Sequence, residues 1–416
     1  MDDKRPENSN IQNVSNVNQP IPVSNSNTSS TAVKSHDPVT LPLIDAMLSD
    51  EQFAEEARAV TGLSLEELTK VRDAARDAVL KLNESESDDS RSTRAAETRA
   101  KEKIESIIGA GKATAFIAYI GQKTSGDDLD RLTSAAPNAV PSDTRIVVNA
   151  PAYRMDIFRD GKLVKTYSVG IGYPEFPLPA GLRKAQKIIF NPTWTPPDEP
   201  WVKGRFAPGK TVEAGSRHNP LGPIKIPIGL PSLIHGGKAP GKIGTFASHG
   251  CVGLTNKQIN EFAIDLASLS GSSLTTDEIQ KYLSDASKTK EVDLTEAVPV
   301  ELRYETIVIS DGKLTIYRDV YERGTNTEAN LKRVFDAVGV SFDSLDSAEK
   351  EKILSALNEM AVDAQGQPVD DTNDAKNETN SKNTSGKVTR SIKGKKMIEI
   401  PLSKLVGKGY PPPANA

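Results

Sequence analysis

The residues with the clearest potential for chemistry lie in the stretch LIHGGKAPGKIGTFASHGCVGL, residues 233–254. It contains Cys251, the one cysteine of the 416-residue chain, and two of the four histidines, His235 and His249. A histidine within hydrogen-bond reach of a thiol can take its proton, and the resulting thiolate attacks acyl carbons. The chain between His235 and Cys251 is long enough for His235 to come from a neighbouring strand. The stretch therefore predicts a cysteine acyl-transfer site.

Glycine is abundant in the same stretch, with six residues between His235 and Leu254. This density indicates backbone turns that side chains would forbid, or a close approach of the backbone to a ligand. We expect Gly250 to leave the N–H of Cys251 open to a substrate oxygen, as an oxyanion hole requires. The alternative is that Cys251 is a small buried hydrophobic residue and that both histidines are ordinary core or loop residues. The sole cysteine, the histidines and the glycines together favour catalysis.

The elements that must position these residues have the pattern of β-structure. The segment before the stretch is rich in β-branched and aromatic side chains on both sides of Asp160-Gly161, a favoured two-residue hairpin turn. A second Asp-Gly step within Asp311–Leu314 predicts another hairpin. Helices are predicted over residues 256–269 and 276–284, the second with a capping box at Thr275–Glu278. We therefore expect a mainly β domain to carry the cysteine and the histidines.

The flanking regions differ in composition. Asn, Ser and Thr dominate residues 1–36, which predicts a disordered N-terminal segment. Residues 362–416 are predicted to form a largely disordered tail. Residues 38–125 form a predicted small α-helical region, with capping-box patterns at Ser49–Gln52 and Ser64–Glu67.

Charge and hydropathy restrict the range of partners. Arg145–Leu254 carries 15 Lys and Arg against 6 Asp and Glu, whereas the whole chain has a net charge of −4. A positive field of this kind attracts anionic substrates, although a solvated basic surface would give the same count. No nucleic-acid-binding motif is present, so nucleic acid is not an expected partner. No apolar run is long enough to predict a transmembrane helix, and the start MDDKRPENSN lacks the apolar core of a signal peptide.

The motifs HGG at 235–237, Gly244 and SHGCVGL at 248–254 resemble the signature of the L,D-transpeptidase catalytic domain family of the YkuD type. That signature is normally written HG…G…SHGC-[IV]-R-[LM]. The resemblance covers about residues 145–322. It implies a mainly β catalytic domain, a β-sandwich or mixed sheet with a C-terminal strand extension. With a helical segment predicted over 323–361, the N-terminal helical region and disordered termini, the chain is predicted to be multidomain.

The resemblance also implies a reaction on bacterial peptidoglycan. Cys251 would attack the carbonyl between the third residue of a tetrapeptide stem and its terminal D-alanine, forming a thioester as D-alanine leaves. The side-chain amine of a second stem would resolve the thioester and give a 3→3 cross-link, a step in cell wall biogenesis that bears on cell shape. Neither a metal nor an organic cofactor is implied. Because the family acts outside the cytoplasm, an extracytoplasmic location in the periplasm or cell wall is expected.

The family motif assigns roles to matching positions in this sequence. His235 matches the general base, which later returns its proton to a leaving group. The oxyanion-hole region is implied to consist of backbone N–H groups of His249, Gly250 and Cys251. Three further residues are implied to support the site. A carbonyl of Gly236 or Gly237 would orient the His235 ring, and Ser248 would support the loop.

One departure from the family pattern and several alternatives accompany this interpretation. Gly253 stands where the family usually has arginine. Four basic residues of the same segment could take its place, and we interpret each of them as a solvated surface charge: Arg183, Arg205, Arg217 and Lys225. A hydrolase on the same fold would act as an L,D-carboxypeptidase or cleave a cross-link or a lipoprotein attachment. A transferase could instead attach cell-wall-anchored proteins, and a non-catalytic protein could bind the cell wall. No histidine follows the cysteine, which excludes papain-like and NlpC-type peptidases in their usual form.

Overall fold

The computed structural model describes residues 37–83, 93–124, 136–194, 211–216, 218–364, 366, 368, 386–387 and 391–414. All of them belong to one compact unit that begins at Ser35. The predicted disordered segment 1–36 lies outside the described residues. No helix within the described ranges combines the length and the apolar content that crossing a membrane requires.

Five helices account for the helical region near the N-terminus: α1 (Leu41–Leu48), α2 (Glu51–Thr61), α3 (Leu65–Lys81), α4 (Thr93–Ile108) and α5 (Ala110–Thr124). They bury a hydrophobic core of their own. The capping box predicted at Ser64 is present, because Ser64 Oγ accepts from the N–H of Glu67 and the Glu67 carboxylate accepts from the N–H of Ser64. The pattern predicted at Ser49 is wrong by one residue. Asp50 caps α2 by accepting from the N–H of Phe53, and aspartate caps a helix as well as serine does.

An eight-stranded mixed sheet forms the centre of the molecule. Its strands are β2 (Arg145–Asn149), β3 (Arg154–Arg159), β4 (Lys162–Ser168), β6 (Gly181–Phe190), β7 (Ile224–Pro227), β8 (Leu233–His235), β10 (Val252–Gly253) and β11 (Lys290–Arg303). Their order is β10-β8-β7-β6-β11-β2-β3-β4. Two separate two-stranded sheets are also present. One pairs β1 (Leu82–Asn83) with β14 (Gly386–Lys387), and the other pairs β5 (Ile171–Gly172) with β9 (Phe246–Ser248). The mixed sheet that the sequence predicted is confirmed.

Local sequence signals account for the turns and helices around this sheet. Asp160 and Gly161 adopt φ values of +48° and +75° and join β3 to β4, as predicted. Two positive φ values give a turn whose twist matches that of the flanking strands. Helices α6 (Asn256–Leu269) and α7 (Thr276–Ser284) have the predicted bounds, and the predicted capping box at Thr275 is present.

Helix α6 covers one face of the sheet. Its buried residues Ile259 and Phe262 belong to the same core as Ile234 of β8 and Val252 of β10. Because successive side chains of a strand point to opposite faces, the residues that alternate with Ile234 and Val252 point to the other face. That other face carries the candidate site.

A second, three-stranded sheet lies in the C-terminal region and consists of β12 (Ile307–Ser310), β13 (Lys313–Tyr317) and β15 (Met397–Pro401). It shares a separate core with α8 (Glu328–Ala337) and α9 (Ser347–Met360). The hairpin predicted at Asp311 is confirmed, and it joins β12 to β13. The hairpin thus packs with the helices that follow it, across the domain boundary predicted after residue 322.

Within residues 362–416, where a largely disordered tail is predicted apart from the short apolar stretch MIEIPLSKLV, the structure describes residues 391–414 as ordered. Strand β15 pairs with β13, and Tyr410 is buried. A polar run at residues 369–385 separates β15 from the preceding helix, and this run lies outside the described residues. Because the partner strand lies far earlier in the chain, the short apolar stretch carries no local sign of its pairing.

Candidate active site

Two short parallel strands bring His235 and Cys251 together. In the register of β8 and β10, Ile234 lies beside Val252 and His235 beside Gly253. Cys251 directly precedes β10 and lies two positions before Gly253. The Cys251 thiol also interacts with a backbone group of Leu233 on β8. The separation of His235 and Cys251 in the sequence therefore corresponds to neighbouring strands, as predicted.

His235 is a buried, neutral imidazole whose proton lies on Nδ1. Its Nδ1 lies 2.7 Å from Gly236 O, and because a carbonyl only accepts, Nδ1 carries the proton and donates. This arrangement leaves Nε2 as the basic nitrogen. Burial is the main cause that lowers the pKa of His235 to about 3, and the Lys238 charge lowers it further while bonds to Gly236 and Leu221 raise it. Of the two carbonyls that were expected to orient the ring, the structure uses that of Gly236.

Cys251 is half-buried and carries its proton at neutral pH. Burial raises the pKa of its thiol, whereas the backbone of Leu233 and the charge of Lys238 lower it. A buried environment disfavours charge on either member of the pair. The two residues therefore rest as a neutral thiol and a neutral imidazole rather than as a thiolate and an imidazolium.

We expect neutral alkylating reagents to modify Cys251 slowly at neutral pH. The thiolate is the reactive form, and the raised pKa of Cys251 leaves less of it than the few per cent present in a free thiol. The rate should rise about tenfold per pH unit toward pH 9. Labelling with iodoacetamide followed by intact mass reports on Cys251 alone, because the chain has no other cysteine. A rate that stays level between about pH 5 and 8 would indicate a preformed thiolate and contradict the neutral pair.

The loop before Cys251 is fixed by Ser248. Its Oγ accepts from the N–H of Cys251 at 3.0 Å and donates to the carbonyl of Cys251 at 2.6 Å. The expectation that the Cys251 N–H lies open is therefore wrong for this state of the protein, because Ser248 Oγ already occupies it. Gly250 turns the chain at a φ of +88°, and its carbonyl accepts from Ser232 Oγ at 2.9 Å.

The ring of His249 packs against the segment Tyr173–Ala180. It meets Phe176 edge-to-face with ring centroids 4.4 Å apart, and Tyr173 at 5.3 Å. The N–H of Tyr173 donates to the carbonyl of Ser248 at 2.9 Å. The segment therefore forms a wall beside the loop before Cys251, and nothing in the sequence indicated this contact.

The N-terminal helical region holds this wall in place. Thr93 Oγ1, at the start of α4, donates to the carbonyl of Pro174 at 2.8 Å. Thr40 Oγ1 donates to the carbonyl of Glu175 at 2.9 Å. The N-terminal helical region thus fixes the segment that contacts His249.

Two of the four basic residues named as replacements for the missing arginine lie in the described part. Arg183 is buried and donates to the carbonyls of Leu230 and Thr124, so its interpretation as a solvated surface charge is wrong. Lys225 is half-buried and lies opposite His235 on β7, and burial lowers its pKa. The other two, at positions 205 and 217, lie outside the described residues.

The space beside Gly253 is filled by a side chain that the sequence did not single out. A Cβ at Gly253 would lie 2.8 Å from Cγ and Cε of Lys238. The stem of Lys238 therefore passes directly over Gly253. Within the described ranges, no group of three or more His, Cys, Asp and Glu side chains is placed to hold a metal ion.

The comparison with known families agrees with this geometry over a defined part of the chain. Residues 143–268 match the family model of YkuD, the L,D-transpeptidase catalytic domain. The resemblance read from HGG and SHGC is thus confirmed, although the matched range ends before the predicted limit at residue 322. We refer to residues 143–268 as the YkuD domain.

The YkuD domain is similar to parts of known proteins. The probable L,D-transpeptidase YbiS of Escherichia coli K12 is 33% identical over 118 residues, which cover 27% of this chain and 39% of YbiS. The chain therefore spans about two fifths of the length of that relative. Among solved structures, the catalytic domain of the E. faecium L,D-transpeptidase covers 40% of this chain and 100% of its own, at 19% identity and a TM-score of 0.25. The match to L,D-transpeptidase 3 from Mycobacterium tuberculosis covers 38% of this chain and 60% of that protein, at 15% identity and a TM-score of 0.23.

Proposed function

We propose that this protein is a peptidoglycan L,D-transpeptidase that forms 3→3 cross-links by cysteine acyl transfer. The observation that supports the proposal is the parallel register of β8 and β10, in which His235 lies beside Gly253, two positions after Cys251, within the region that matches the YkuD model. The excess of positive charge between Arg145 and Leu254 favours stem peptides, whose carboxylates are anionic. The substrate implies that the protein acts outside the cytoplasm, at the cell wall.

The first half of the reaction forms a thioester. As Cys251 Sγ attacks the carbonyl between the third stem residue and the terminal D-alanine, the thiol proton moves to His235 Nε2. The carbonyl of Gly236, which accepts from Nδ1, stabilises the imidazolium that results. When the tetrahedral intermediate collapses, the C–N bond breaks and the imidazolium returns its proton to the amine of D-alanine. A thioester on Cys251 and a neutral His235 remain.

The second half of the reaction uses the same groups in reverse. The side-chain amine of a second stem attacks the thioester carbonyl and gives a proton to His235 Nε2. The C–S bond then breaks, and the sulfur of Cys251 regains a proton from the imidazolium. The products are a new amide that links the third residues of two stems and an enzyme in its resting state.

We place the oxyanion hole in the loop formed by His249, Gly250 and Cys251. Since the N–H of Cys251 donates to Ser248 Oγ at 3.0 Å, that donor can reach a substrate oxygen only when the two separate. Rotation of the Ser248 side chain about its Cα–Cβ bond would move Oγ away and release this N–H without moving the backbone. Ser248 therefore acts as a placeholder for the substrate oxygen in the free protein.

Mass spectrometry of the full chain incubated with a disaccharide-tetrapeptide tests the proposal. The expected product is a dimer whose mass equals two disaccharide-tetrapeptides minus one D-alanine, with the new bond between the third residues of the stems. Release of D-alanine without coupling would make the protein a hydrolase. Absence of both products would leave it a non-catalytic wall-binding protein and overturn the proposal.

A further inference from the structure

The strand face that carries the nucleophile has a gap at Gly253. In the parallel register, Gly253 lies beside His235, and Cys251 precedes it by two positions. The Cγ and Cε atoms of Lys238 lie 2.8 Å from the position that a Cβ of residue 253 would take, closer than real Cβ atoms come to other atoms. The Lys238 stem therefore fills the gap. Because Cε bears the ammonium group, the charge lies beside the same row of residues.

The backbone around Lys238 is held on two sides. The N–H of Lys238 donates to the carbonyl of Leu254 at 3.1 Å, just after β10. The N–H of Gly237 donates to Asn256 Oδ1 at 2.8 Å, at the start of α6. Gly237 has a φ of +81°, and a Cβ there would lie 2.6 Å from the carbonyl oxygen of Pro220, so the turn requires glycine. These contacts fix the point from which the Lys238 side chain returns over β10.

We propose that Lys238 supplies the positive charge of this active site and stabilises the negative charge that develops at Cys251, an inference that rests on the proposed function. The family pattern carries a cation on the strand itself, directly after SHGC-V. Here the loop after His235 carries it, and glycine at position 253 leaves the space that its stem needs.

The electrostatic consequences agree with this position. Burial is the main cause that raises the pKa of Cys251 and lowers that of His235, and the charge of Lys238 lowers both. A cation favours the thiolate and disfavours the imidazolium. Lys238 therefore favours a state in which sulfur carries the charge and the imidazole is neutral. Among the described residues, titratable groups on neighbouring elements include Lys225 on β7, Tyr173, Glu175 and His249 around the loop, and Tyr321, whose hydroxyl group donates to the carbonyl of Gly172.

The test measures the pH dependence of iodoacetamide alkylation of Cys251 in the full chain, read by intact mass. In Lys238→Met, we expect the midpoint of the alkylation profile to rise by about one pH unit, which makes labelling at pH 8 about tenfold slower. Lys238→Arg keeps the charge and is expected to retain the profile of the unchanged protein. The matched control is Lys242→Met, since Lys242 is an exposed lysine a few positions further along the chain.

A double variant that moves the positive side chain from position 238 to position 253 gives an independent check. In Lys238→Ala with Gly253→Arg, the stem that would clash with a side chain at 253 is gone, and the charge returns on the strand. We expect this double variant to recover the original midpoint to within about 0.3 pH units. Circular dichroism establishes that each variant is folded, and Lys238→Gln replaces Lys238→Met if the latter is not.

Two results would overturn the proposal. In one, the profile of folded Lys238→Met or Lys238→Gln superimposes on that of the unchanged protein. In the other, the midpoint of the alkylation profile shifts as far in Lys238→Arg as in Lys238→Met, which would mean that the shape of the side chain matters and its charge does not. Because alkylation needs no stem peptide, either result is distinguishable from a failure of the transpeptidase assay. A protein without transpeptidase activity would still show whether Lys238 acts on the thiol.

Discussion

Replacement of Cys251 by alanine is expected to lower D-alanine release and cross-linking by about 10⁴-fold or more. The chain has no second thiol that could take over the attack, and no covalent intermediate can form on alanine. Since Cys251 is only half-buried, loss of its sulfur should lower the free energy of unfolding by about 1 kcal/mol, too little to unfold the domain. Mass spectrometry of the products and circular dichroism of the variant measure the two effects separately.

Cys251→Ser is the matched control for this result. It preserves the shape of the site and replaces the thiol by a hydroxyl group, a much weaker nucleophile beside the same base. We expect its activity to be at least about 10³-fold lower than that of the unchanged protein. Retention of more than a tenth of the activity in folded Cys251→Ala would exclude Cys251 as the nucleophile.

Replacement of His235 by glutamine is expected to lower kcat by about 10²–10⁴-fold with little change in KM. The glutamine amide can still donate to the carbonyl of Gly236, so the local backbone keeps its partner, but no base remains to accept the thiol proton. Steady-state kinetics of stem-peptide cross-linking measure the change. His218→Gln is the control, because His218 is exposed and lies outside the YkuD strands that carry the site.

The same variant distinguishes two forms of cysteine catalysis. Because the pKa of His235 is lowered to about 3, the resting imidazole is neutral and does not hold the thiol as a thiolate. Alkylation of Cys251 by iodoacetamide should therefore have nearly the same pH profile in His235→Gln as in the unchanged protein. A labelling rate at pH 6 that falls about tenfold or more in the variant would indicate a preformed ion pair instead. For the same reason, kcat/KM should show no acid limb near about pH 6.5, where an ordinary histidine titrates.

The parts of the fold that the sequence predicts are those with local signals. The capping box at Thr275 and the turn at Asp160-Gly161 each involve residues that are close in the chain, and both appear where they were expected. The pairing of β15 with β13 and the contact of the helical region with Pro174 join residues far apart in the chain. Hydrophobic periodicity carries no information about which distant partner a strand or a loop selects.

The candidate site also has features that local sequence indicates and features that depend on the whole fold. The spacing of His235 and Cys251 indicated that His235 could come from a neighbouring strand, and His235 does lie on β8, beside the strand that begins directly after Cys251. Their protonation states were not predictable, because burial sets them, and burial depends on the whole domain. Lys238 was not singled out because its partner is an absent side chain, and only the path of its stem over Gly253 reveals the relation.

The edge strand β4 is covered by residues near the end of the chain, and this has a consequence while the protein is being synthesised. Its residue Thr166 donates its N–H to the carbonyl of Ala414, and the N–H of Ala414 donates back to Thr166 Oγ1, across a separation of 248 residues. Nearby, Tyr410 packs on Phe158 and donates to Asp156. At about 5–20 residues per second, a ribosome needs roughly 12–50 s to make the chain between β4 and its cover. For that interval, the nascent protein presents the open edge of β4, a place where another chain could pair.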